Sequence, residues 1–167
     1  MVLGLFLIYQ NVKAMESTAK TIEILNDLIL INNDRIEGYE RALKEIEDGG
    51  EDLDLQPLFL RFIDESRRYK MELGSEISSL GKDMETGTSA SGKLHRAWIA
   101  IKETFNGHDR HGILDECEFG EDAIKKAYAE ALNEEPLASY IREMLESQQE
   151  EIIEAHDEIK ELRDQVQ

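Results

Sequence analysis

A chain of 167 residues with 37 acids against 19 bases carries a formal net charge of −18. It fits one domain and is long enough to bury a real core, while its field repels phosphate backbones and anionic headgroups, which argues against nucleic acid and the membrane as partners. A single cysteine, Cys117, excludes an internal disulfide and suits a reducing, cytoplasmic compartment.

The chain opens on MVLGLFLIYQNVKA. Its apolar run from Val2 to Tyr9 is shorter than the roughly 20 residues that span a bilayer. No base precedes it, and a cut after Ala14 would leave an unusually short signal peptide. Residues 1–14 are therefore expected to be a leader or a mis-assigned start, with one domain over 15–167.

The first long helix is expected to start near Ser17–Thr18, where a hydroxyl can cap it, and to stop at Gly49–Gly50. Its apolar stripe is Leu25, Leu28, Ile36, Tyr39, Leu43 and Ile46. The second runs from about Pro57 to Lys82 with Phe59, Phe62, Tyr69, Leu73, Ile77 and Leu80 on one face. "ETGTSASGK" then reads as loop, followed by a short amphipathic segment with Leu94, Trp98, Ile101 and Phe105. A third long helix covers about 112–133, "NEEP" turns the chain, and a fourth covers about 137–165 with Ile141, Met144, Leu145, Ile152, Ile159, Leu162 and Val166. Strand alternation is missing. The fold class is all-α: two short links flanking one long crossover, itself carrying an extra short helix, is the layout of a ferritin-like four-helix bundle.

Each stripe is interrupted near its middle by a polar residue. The third helix sets Cys117, Glu121, Ile124 and Tyr128 on one face, so a carboxylate points where apolar neighbours go. Asn32, Ser66 and His156 interrupt the other three. With Tyr39, Tyr69 and Tyr128 they form an expected buried layer: Asn32, Tyr39, Ser66, Tyr69, Glu121, Tyr128 and His156. A buried carboxylate without a partner costs several kcal/mol, so Glu121 needs a proton, hydrogen-bond donors or a cation. A purely hydrogen-bonded layer would let Glu121→Leu repack without loss.

Ferritin-like bundles often place two metal ions at this level, held by a Glu from each of two helices and Glu-x-x-His from each of the others. The residues three before His95, His108, His111 and His156 are Gly92, Phe105, His108 and Ile153, none of them acidic. The remaining metal candidates are Glu118, Glu121, His156 and Glu72, with Asp34 or Glu37, a set able to hold a single Fe, Mn or Zn ion. His108 and His111 in "HDRH" read as a solvated pair, with His111 beside an N-cap at Asp109. "SGKLHR" lacks the strand and spacing of a phosphate loop, and no Ser/His/Asp order supports a hydrolase.

"NDLILINNDRIEGYERAL", "FIDESRRYKMEL", "SGKLHRAWIAIKETFNGHDRHGILDECEFGEDAIKKAY" and "EAHDEIKELRD" together resemble an uncharacterised bacterial family of ferritin-like four-helix-bundle proteins, a domain of unknown function. The resemblance covers residues 19–164 and implies the fold without bringing an activity. Where iron-handling relatives carry Glu-x-x-His, the second helix reads Tyr69-x-x-Glu72, and His156 lacks its Glu, which argues against ferroxidase or oxidase chemistry. The expected function is a non-catalytic bundle with a structural polar layer, acting through its surface or as a homo-oligomer, a dimer. The alternative is a metal-binding carboxylate protein with a degenerate ligand set, of the di-iron or di-manganese oxidase or peroxidase type or in stress-related metal handling.

Overall fold

In the computed structural model, described over residues 1–84, 109–135 and 137–166, the chain is an all-α bundle of four long helices. They are α1 (Val2–Gly49), α2 (Gln56–Ser79), α3 (Arg110–Asn133) and α4 (Ser139–Asp164). The expected short helix of the crossover, with Leu94, Trp98, Ile101 and Phe105, lies outside the described residues, as do His95 and His108.

The start of the first helix needs correction. Ser17 and Thr18 do not cap it: α1 runs unbroken from Val2 for 48 residues, and the hydroxyl of Thr18 donates back to the carbonyl of Ala14 at 3.0 Å. Leu3, Leu5, Leu7, Gln10, Lys13 and Ala14 have good helix propensity whether or not anything covers them, and the helix continues back through residues 2–14. Residues 1–16 are all exposed, including Leu3, Leu5, Phe6, Leu7 and Ile8. Among the described residues no helix is long and apolar enough to cross a membrane.

At its other end α1 stops as expected. Gly50 takes φ +66°, where a side chain would be strained, and its N–H closes onto the carbonyls of Ile46 and Glu47 at 3.0 and 3.3 Å. A 3₁₀ turn at Leu53–Leu55 buries Leu55 and leads into α2, which carries Pro57 in its first turn. Arg110, at the head of α3, reaches this link: it bonds Asp52 at 3.0 Å and grips both oxygens of Asp54 at 2.9 Å. Asp109 caps α3, its carboxylate accepting from Gly112 N–H at 2.8 Å, and His111 is exposed in that first turn.

The direction of each helix follows from which part of it enters which half of the core. One apolar cluster gathers Leu25, Leu28 and Ile29 with Leu73, Ile77, Ile124, Tyr128, Leu145 and Ile152. The other gathers Tyr39, Ile46, Phe59, Phe62, Ile113, Leu114, Cys117, Ala155 and Ile159. Thus α1 and α4 run from the first cluster to the second, whereas α2 and α3 run back. The bundle is up-down-down-up, and the parallel α2 and α3 are what make a long crossover necessary. Helix α1 packs along α2 and α3, and α3 along α4. Across the remaining side, α2 meets α4 through long polar side chains spaced seven apart, Arg61 to Glu158 and Arg68 to Glu151.

Because residues 1–16 touch nothing in the core, a chain beginning at Met15 should unfold within about 2 °C of the full chain by circular dichroism. A drop of ten degrees would show that the N-terminal turns of α1 stabilise the fold.

Candidate functional site

The two apolar clusters are separated by a polar seam, and its centre is Arg35. Leu28, Asn32, Arg35, Tyr39, Ala42 and Ile46 follow one another at steps of four and three, so Arg35 lies on the core-facing stripe of α1. Its side chain is 2% exposed and that of Glu121 is 0% exposed. The guanidinium meets the carboxylate in a two-pronged pair, Nε to Oε1 at 2.7 Å and Nη2 to Oε2 at 3.2 Å. Its Nη1 turns to α2, donating to the Phe62 carbonyl at 3.3 Å and to Ser66 Oγ at 3.1 Å. Nη2 also lies 3.6 Å from Glu65 Oε2, an ion-pair distance, so the guanidinium makes four hydrogen bonds and has a second carboxylate beside it. The Tyr39 hydroxyl donates to Glu121 Oε1 at 2.7 Å, and the rings of Tyr39 and Phe62 flank the guanidinium at 5.6 and 5.3 Å.

The charges tune one another. Burial, the largest single influence, would depress Arg35, but the charge and hydrogen bond of Glu121 together with Tyr39 and Glu65 outweigh it and hold the guanidinium above its ordinary range. Burial, reinforced by the charge of Glu121, pushes the phenol of Tyr39 and the thiol of Cys117 well up. Cys117 is consequently a core residue and a poor nucleophile at neutral pH. Glu65 is raised by its own burial, with Arg35 pulling it partly back.

A second network crosses all four helices. Asn32 on α1 donates to Tyr128 on α3 at 3.0 Å, Tyr128 to Gln148 on α4 at 2.7 Å, and Gln148 to Glu72 on α2 at 2.6 Å. Beside it the Tyr69 hydroxyl donates to Glu151 at 3.0 Å. A third group lies between α3 and α4: His156 faces Asp122 at 3.0 Å and Glu118 at 4.0 Å through Nε2, and Asp157 at 2.9 Å through Nδ1.

All seven residues of the expected layer (Asn32, Tyr39, Ser66, Tyr69, Glu121, Tyr128 and His156) are buried, but they divide among these three groups. Glu121 is joined to Arg35 and Tyr39, with its two oxygens turned to α1. Glu72 serves Gln148 and Arg68. Glu118 pairs with Arg163. Asp34 is buried on α1, and Glu37 pairs with Arg41 on the same helix at 3.1 Å. Among the described residues one set of potential metal-ligating atoms converges within 4.8 Å: Glu118, Asp122 and His156, without Glu121 or Glu72. Among the residues of these networks that escape a reading of apolar stripes are Arg35, Gln148 and Asp122. Both Arg35 and Gln148 fall in register with the stripes, and that register is the signal that finds them.

Arg35→Met strands a buried carboxylate and should cost about 3–5 kcal/mol in urea unfolding. Glu121→Leu, which a purely hydrogen-bonded layer would tolerate, strands the guanidinium and should also destabilise. The double variant should recover most of the loss, and simple additivity of the two would contradict a coupled pair. The buried phenols of Tyr39, Tyr69 and Tyr128 all stand above their ordinary value, burial being the largest cause in each. Since the unfolded value is near 10, their contribution to stability is complete below about pH 10 and is lost as pH rises beyond it. Ultraviolet titration should show them ionising together with helix loss, and gradual ionisation with the helices intact would contradict this.

None of the curated proteins matches the chain. The sequence pattern of one family, described as a domain of unknown function (DUF2383), matches residues 20–134, which takes in Arg35, Tyr39, Ser66 and Glu121 and stops before α4. On that match over more than half its length, the chain belongs to the DUF2383 family.

Proposed function

We propose that this chain is a ferritin-like but non-catalytic cytoplasmic bundle, whose mid-bundle charge is a fixed ion pair in place of a metal centre. The observation that carries the reading is the Arg35 guanidinium, which supplies the cation of the seam and commits both oxygens of Glu121. A di-iron or di-manganese centre needs several carboxylates directed at the bundle axis and free to bind. Here an arginine, positively charged at any physiological pH, stands beside the central one. The up-down-down-up course of the helices supports the ferritin-like part of the proposal. The exposed apolar side chains along residues 2–12 support a surface role, with a second copy as the partner. The metal-binding alternative retains one geometric basis, the Glu118–Asp122–His156 group at the α3–α4 boundary, away from the Arg35 pair.

Aerobic oxidation of ferrous iron followed by absorbance should run no faster with the protein than in buffer, and Glu121→Gln should not change it. Accelerated oxidation that Glu121→Gln abolishes while circular dichroism shows the helices intact would overturn the reading.

A further inference from the structure

The boundary between α3 and α4 holds chemistry that the structural ion pair does not use. Glu118 and Asp122 are one helical turn apart on α3, so both carboxylates leave the same face. His156 comes from α4 with its side chain 8% exposed, and the side chain of Asp122 is 56% exposed, so the group is anchored inside and open outside. A carboxylate can only accept from a ring nitrogen. Asp157 Oδ1, 2.9 Å from Nδ1, and Asp122 Oδ1, 3.0 Å from Nε2, therefore each call for a positive partner on the nitrogen they face. A dication bound at Nε2 would take the place of a proton there while Nδ1–H donates to Asp157, and it would meet Asp122 Oδ1 and Glu118 Oε1, which lie 3.0 and 4.0 Å from Nε2. Carboxylate–imidazole–metal alignment of this kind orients a histidine ligand and raises its basicity. Glu118 is oriented too: its other oxygen, Oε2, is held by Arg163.

From this arrangement we infer that Glu118, Asp122 and His156 form a binding site for a divalent first-row transition ion. One imidazole nitrogen and two carboxylate oxygens suit zinc, manganese or ferrous iron. Metal bonds of about 2.0–2.2 Å put ligand atoms roughly 3.2–3.6 Å apart, so side-chain movements of up to about an ångström close a set whose ligand atoms already lie within 4.8 Å of one another. Three protein ligands leave a position for water on the exposed side. Lys125 is the competitor: its Nζ lies 3.4 Å from Nε2 and 3.7 Å from Asp122 Oδ1. It is a flexible, partly exposed ammonium that a bound dication displaces into solvent. The bound ion would staple α3 to α4 across the boundary that His156 already bridges.

Calorimetric titration of the chelator-treated full chain with zinc chloride should give one saturable site per chain. Asp122→Asn, at an exposed side chain whose change leaves the core alone, should weaken it about tenfold or more, and so should His156→Gln. Lys125→Gln removes the competing cation and should tighten it. No saturable site in the unmodified chain would overturn the proposal. So would equal affinity in the unmodified chain, Asp122→Asn and His156→Gln, which marks adventitious binding by an acidic surface. Zinc lost in Glu121→Gln but kept in Asp122→Asn would also overturn it, by placing the ion at the Arg35 level.

Discussion

The pair between Arg35 and Glu121 is the constraint around which the rest of the bundle is arranged. Two charges taken out of water each cost several kcal/mol, and only near-complete hydrogen bonding offsets that. The structure supplies it: the carboxylate has both prongs of the guanidinium and the Tyr39 hydroxyl, and the guanidinium has Glu121, Ser66, the Phe62 carbonyl and the neighbouring Glu65. These partners come from α1, α2 and α3. Sliding any one of these helices by a turn, about 5.4 Å, breaks the set. Apolar side chains alone would tolerate such a slip far better, because dispersion is not directional.

Register fixed at this level explains why the seam can be so polar. The relay from Asn32 through Tyr128 and Gln148 to Glu72 lies on the side of the first apolar cluster and draws α4 into the same level. Its members are short, directional donors and acceptors that meet only if the four helices already stand at the correct height. The ladder of Arg61–Glu158 and Arg68–Glu151 then closes the α2–α4 side with solvent-facing pairs. Such exposed pairs contribute little each. The deep pair and the relay set the alignment, and the surface ladder follows it.

A core arginine also changes what a four-helix frame can do. The frame brings the middles of four helices to one place, which elsewhere is an opportunity for metal chemistry. Here the same convergence is spent on a permanent cation. A histidine and two carboxylates outside that pair lie at the α3–α4 boundary, where solvent reaches Asp122 and where Lys125 and Arg163 balance the charge. Fixed charge thus occupies the axis, and exchangeable charge the rim.

Much of the architecture is determined by sequence alone. The apolar stripes, Gly50 beyond α1, Asp109 before α3 and the unequal links give four helices with approximate ends and a fold class, because helix periodicity and capping are local chemistry. The unusual placing of Glu121 is equally local, since its i−4, i+3 and i+7 neighbours are apolar or aromatic. What answers that carboxylate is not local. Arg35 stands 86 residues earlier, on a helix whose azimuth and height are set by packing, and a charged residue in an apolar register looks the same in sequence whether it snorkels to water or enters the core. His156 illustrates the same limit: sequence placed it on the buried face of its helix, but only the α3–α4 packing gave it Asp122 and Glu118 rather than Glu121. The length of α1 is the opposite case. Sequence marked residues 1–14 as separate because their apolar run is too short to span a bilayer and no base precedes it, and the tertiary structure leaves them exposed while the backbone continues the helix through them, since helix hydrogen bonds require no partner outside the helix itself.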